Sequence, residues 1–124
     1  MMNISKRLNI KTITNSKEIK NTLDKSKKIY FTYGIVFLDK DSDVKEKLKF
    51  AVLVKKNCGN AVRRNYIKRI ARNFVVRNIT LFSPYNRVIF LFLSKMPFTY
   101  KNLKEELFKV WRNEKTAFTD DSVL

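Results

Sequence analysis

Apolar positions in this chain change rhythm several times, and each change marks an element. In residues 16–25, Ile19 and Leu23 recur four apart among lysines, carboxylates and amides, the spacing of one helical face. Ser16 stands where such a helix needs its N-cap. Residues 29–38 are dense in β-branched and aromatic side chains (Tyr30, Phe31, Thr32, Tyr33, Ile35, Val36, Phe37) and predict a strand. Asp39-Lys40-Asp41-Ser42-Asp43 reads as the turn after it. Residues 50–54 form a nearly continuous apolar run, the signature of a strand covered on both faces. The helical rhythm returns over residues 60–77. Pro84-Tyr85-Asn86 then interrupts the chain, and residues 87–93 predict another buried strand. Beyond Pro97, Leu103, Leu107, Val110 and Trp111 make the stripe of a last helix over residues 99–114.

The order is α-β-β-α-β-α. The strand–helix–strand segment at 50–93 implies a parallel pair. The expected class is α+β: one small sheet with helices packed on it. One domain spanning residues 1–124 is expected, with loose ends at 1–9 and 115–124.

The helix at 60–77 changes the picture from fold to function. Between Lys55 and Arg77 stand eight basic residues and no acidic one. On a wheel of about 100° per residue, Tyr66, Ile67, Ile70, Ala71 and Phe74 gather on one side. Arg64, Asn65, Lys68, Arg69 and Arg72 gather on the other. Arg63 falls on the apolar side, in the first turn. Asn60 is the expected N-cap, with Gly59 making the turn before it. A merely solvated face usually mixes charge signs through i, i+4 pairs; this one has a single sign. Arginine forks and an asparagine amide suit phosphates, 2′-hydroxyls and base edges.

The whole chain shares this bias. Lys and Arg number 27 against 11 Asp and Glu, a net charge of +16, which predicts a polyanionic partner, nucleic acid first. The absence of histidine removes His triads, His general bases and His metal sites. The single cysteine, Cys58, removes an internal disulfide and multi-Cys metal sites and fits a reducing compartment. Two isolated glycines cannot assemble a dinucleotide fingerprint or a P-loop. Asp39, Asp41 and Asp43 are bunched only in a turn, and no carboxylate cluster falls on the strands where a two-metal nuclease would hold its ions. The longest apolar run is too short to span a bilayer. The reading is an RNA-binding module without a catalytic centre or bound cofactor of its own.

Gly59-Asn60-Ala61-Val62-Arg63-Arg64-Asn65-Tyr66-Ile67-Lys68-Arg69-Ile70-Ala71-Arg72 resembles the signature of the protein components of bacterial ribonuclease P, Gly-Asn-Ala-Val-x-Arg-Asn-Arg-Ile-Lys-Arg-x-x-Arg. One specified position departs, Tyr66 for Arg. Upstream, Val54-Lys55-Lys56-Asn57-Cys58-Gly59 stands where the family reads Val-Ser-Lys-Lys-x-Gly. Cys58 falls where the family usually carries Val or Ile, which implies a small buried hydrophobe. The resemblance implies an α+β sandwich of about four strands in a mixed sheet, similar to a ribosomal small-subunit protein domain, with the fourth strand at Leu48 or from splitting the run at 29–38. It implies a cytoplasmic subunit of an RNA-based endoribonuclease whose catalytic RNA removes the 5′ leader of precursor tRNA, with Mg²⁺ serving the RNA–protein holoenzyme. The implied partners are that RNA and precursor tRNA, with neither a membrane nor a disulfide-linked partner. The implied RNA contacts are Lys55, Lys56, Asn60, Arg64, Asn65, Tyr66, Lys68, Arg69 and Arg72. The implied leader cleft comprises Ile19, Leu23, Ile35, Phe37 and Lys56, with aliphatic Ile19 and Leu23 where the family commonly carries Phe. The alternative expectation is a ribosomal or other structural RNA-binding protein of similar fold.

Overall fold

A computed structural model describes residues 11–40, 48–82 and 85–123, with side chains of the last helix as far as Arg112. Among the described residues, five strands form one sheet: β1 (Lys11–Thr12), β2 (Lys27–Phe31), β3 (Gly34–Asp39), β4 (Lys49–Val54) and β5 (Arg87–Phe92). Three helices accompany them: α1 (Ser16–Lys25), α2 (Ala61–Arg77) and α3 (Tyr100–Val123). The strand order is β1-β4-β5-β3-β2. β4 runs parallel to β1 and β5, while β3 is antiparallel to β5 and β2. The sheet is therefore mixed, four longer strands and a two-residue edge, and the parallel pair expected from the strand–helix–strand segment is present.

One face of the sheet holds the main core. Val36, Leu38, Phe50, Val88, Phe90 and Phe92 meet Ile67, Ile70, Ala71, Phe74 and Val75 of α2 and Leu103, Leu107 and Trp111 of α3. Burying each such large side chain contributes about 1.5–3 kcal/mol, which fixes the rotation of α2 and so the face it shows to water. Trp111 Nε1 donates to the carbonyl of Leu81 at 3.2 Å, which lets the indole sit in the core without an orphaned donor.

The other face is ordered in rows by the strand register. Lys49, Arg87 and Asp39 form the first row, Ala51, Ile89, Phe37 and Lys28 the second, and Leu53, Leu91, Ile35 and Tyr30 the third. α1 is fastened at the first row: Glu18 Oε1 accepts from Arg87 Nε at 3.2 Å and from Lys49 Nζ at 3.4 Å. Its Ile19 and Leu23 then pack on the small cluster of Ile13, Phe37, Ala51 and Ile89.

The structure departs from the expected elements where side-chain chemistry overrides pattern. Asn15, not Ser16, caps α1, its Oδ1 accepting from Lys17 N at 2.8 Å. The run at 29–38 splits into β2 and β3 around Thr32-Tyr33, a two-residue connection. Gly34, just after that connection, permits the close approach of β3 to β5: a Cβ there would stand 1.9 Å from the Leu91 carbonyl oxygen. The last helix runs on to Val123 rather than stopping near 114, since neither Gly nor Pro follows Pro97. At its start, Thr99 Oγ1 accepts from Asn102 N and Asn102 Oδ1 accepts from Thr99 N, a reciprocal cap. The loose ends expected at 1–9 and 115–124 fall on residues or side chains outside those described. So do Asp41 and Asp43 of the expected turn.

Candidate nucleic-acid interface

The loop from Lys55 to Asn60 aims α2. Gly59 has φ 145°, a region L side chains avoid, and a Cβ there would lie 2.6 Å from Arg63 Cδ. Asn60 Oδ1 accepts from Arg63 N at 2.9 Å, the cap expected from sequence. Cys58 is buried with its thiol 3.4 Å from the Phe92 carbonyl oxygen, in keeping with a small core residue. Arg63, left by the wheel on the apolar side, folds back onto the chain. Its Nε donates to Cys58 O at 2.7 Å and its Nη2 to Met96 O at 2.8 Å. Arg63 therefore ties the start of α2 to the segment after β5. Charge-assisted hydrogen bonds of this kind are worth about 1.5–3 kcal/mol. Arg63→Ala should lower stability to urea by that order while leaving the salt dependence of RNA binding unchanged. A flattened salt slope at unchanged stability would contradict this role.

The outward face of α2 carries the expected cations. Asn65, Lys68, Arg69 and Arg72 are exposed and Arg64 is half-buried; Lys55 and Lys56 are exposed at the helix's N-terminal approach. Arg72 is braced, its guanidinium 5.7 Å from the Phe50 ring centroid and its Nη2 3.4 Å from Thr12 Oγ1. Lys68, Arg69 and Arg72 line a groove with Thr12, Phe50 and Val52, between α2 and the β1–β4 edge. Tyr66 corrects the wheel. It stands at the rim of the buried stripe and emerges 36% exposed, with the Arg69 guanidinium 5.5 Å from its ring centroid.

The second candidate surface is the face that carries α1. Ile19, Leu23 and Ile35 are half-buried there and share one apolar cluster with Phe37. Phe37 itself is 6% exposed, its ring packed in the middle row with Lys28 Nζ 5.9 Å from its centroid. The third row is the open part: Leu53, Leu91 and Ile35 are half-buried, and Tyr30 at its end is 65% exposed. The sequence pattern hides Tyr30, because residues 29–38 read as one strand. Once the run is split, strand alternation puts Tyr30 opposite Ile35 on the same face. Lys55 and Lys56 follow directly from the end of β4, the strand that supplies Leu53, so the open row leads toward the basic loop.

Chemically, the first surface presents cationic forks without a carboxylate among them, and the second presents an apolar floor with one exposed ring. Together they suit a chain of phosphates with unpaired bases. Among the described residues, no three His, Cys, Asp or Glu side chains gather to hold a metal ion. No described helix is long and apolar enough to cross a membrane.

Comparison with known proteins agrees with the geometry. The family model described as Ribonuclease P matches residues 9–115. The ribonuclease P protein component of Fusobacterium nucleatum is 26% identical over 109 residues, covering 84% of this chain and 96% of the relative. The solved ribonuclease P protein of Staphylococcus aureus superposes with a TM-score of 0.71 at 20% identity, covering 84% of this chain and 94% of that one. The Thermotoga maritima ribonuclease P protein gives a TM-score of 0.68 at 18% identity, covering 83% and 96%. At such identities the structural likeness speaks for the fold alone. The family match spans nearly the whole chain, from before β1 through the described side chains of α3, and takes in both surfaces; this chain belongs to the ribonuclease P protein family.

Proposed function

We propose that this chain is the protein subunit of ribonuclease P, assisting an RNA catalyst in removing the 5′ leader of precursor tRNA in the cytoplasm. The observation that carries the proposal is the juxtaposition of two surfaces: a helix face of one charge sign and an open apolar row with an exposed ring. In this reading α2 grips the catalytic RNA through Asn60, Arg64, Asn65, Tyr66, Lys68, Arg69 and Arg72. Lys55 and Lys56 stand where the two surfaces approach. The leader lies along Ile19, Leu23, Ile35 and Tyr30, above a floor braced by Phe37.

The division of labour follows from chemistry. Cutting belongs to the RNA, with Mg²⁺ supplied to the holoenzyme and no cofactor bound by the protein alone. The chain's residues neutralise phosphates that would otherwise repel one another, and they orient the single strand at the cut. Only the precursor carries that strand, so contacts on the open row discriminate precursor from mature tRNA.

The test is paired affinity measurements with the reconstituted particle. A base–aromatic stack is worth about 1–3 kcal/mol, so Tyr30→Ala should lower the precursor-to-mature affinity ratio by about ten-fold. Equal loss for both tRNAs, or none for either, would contradict the leader path.

A further inference from the structure

The outward face of α2 is not uniformly charged. Val62 is 78% exposed and Tyr66 36% exposed, four residues apart and so on one ridge of the helix. Neither is among the buried residues of α2, which are Ile67, Ile70, Ala71, Phe74 and Val75. The ridge is bordered by Asn65 and Arg69, and the Arg69 guanidinium is held 5.5 Å from the Tyr66 centroid. A phosphate gains little from a phenol ring where a guanidinium would serve better; a nucleobase gains a stacking partner. Bases in a duplex keep their faces inside the stack, so only an unpaired base can reach such a ridge. The surrounding charge has one sign, which selects a polyanion as the occupant.

From this ridge we infer that Tyr66 stacks an unpaired nucleobase of the ribonuclease P RNA on the ring face that the Arg69 guanidinium leaves open. This rests on the reading that α2 grips that RNA, and it assigns one position of the grip to stacking rather than to charge. The consequence is a contact that salt does not screen, because no counterion is released when it forms.

The test compares the unmodified protein with Tyr66→Phe, Tyr66→Leu and Tyr66→Ala, measuring affinity for ribonuclease P RNA across a series of salt concentrations, with circular dichroism to establish that each folds. Tyr66→Phe should stay within about two-fold of the unmodified protein, because the ring is kept. Tyr66→Leu and Tyr66→Ala should each lose about ten-fold at every salt concentration, with the salt slope unchanged. Phe binding as poorly as Ala would assign the contact to the hydroxyl and overturn the stack. Leu binding as well as Tyr would assign it to apolar bulk and overturn it too. A flattened slope in Tyr66→Ala would replace it with a phosphate contact. Failure of the unmodified protein to bind the RNA would instead overturn the reading on which the inference rests.

Discussion

Phe74→Ala is expected to destabilise the fold by about 3–5 kcal/mol, a large share of the stability of a domain this size. Phe74 is fully buried at the point where α2, α3 and the sheet meet. Its ring centroid lies 6.2 Å from Phe82, 6.3 Å from Phe90, 6.5 Å from Tyr100 and 6.0 Å from Phe108. Rings on several sides cannot all collapse into the vacated space, so the cavity term adds to the lost transfer energy. Urea denaturation checks this: the midpoint should fall sharply with an unchanged m-value. A loss below about 1 kcal/mol would mean that the buried stripe of α2 is mis-phased.

The opposite face should behave in the opposite way. Arg64→Ala, Lys68→Ala and Arg69→Ala combined should leave the urea midpoint nearly intact, because Lys68 and Arg69 are exposed and Arg64 is half-buried. RNA affinity should fall steeply. Each lost phosphate contact flattens the salt slope by about 0.7–0.9, so the triple variant should flatten it by roughly two to three. Loss of affinity with an unchanged slope would mean that these residues do not meet phosphates.

How much of this was legible beforehand depends on where the physics is local. The helix at α2 was readable because its apolar positions repeat with the helical period and its cap, Asn60, is a local device. The parallel pairing of β4 and β5 followed from the helix between them. Trp111 reads as core from its helical spacing with Leu107, and Cys58 from the resemblance, which puts it where the family carries Val or Ile; both are buried. What stayed hidden depends on tertiary partners. Arg63 sits on the apolar side of the wheel, and only two carbonyls brought in by the folded chain explain it. Nothing local marks Glu18; Arg87 and Lys49 from distant strands make it the clamp that seats the helix. The turn at Thr32-Tyr33 carries no glycine or proline of its own, so the hairpin was masked and Tyr30 was missed with it. The resemblance puts Phe37 in the leader cleft, while the register puts its ring beside Ala51 and Ile89 in the packed middle row.

The most direct measurement is multiple-turnover cleavage of precursor tRNA at low Mg²⁺ by ribonuclease P RNA alone, by the RNA-free protein alone, and by the two together. The protein alone should cleave nothing. The RNA alone should be slow, because too little Mg²⁺ is present to screen its phosphates. The mixture should turn over far faster, since a protein of net charge +16 supplies that neutralisation and holds the leader. Cleavage by rigorously RNA-free protein, or a mixture no faster than the RNA alone, would contradict the account.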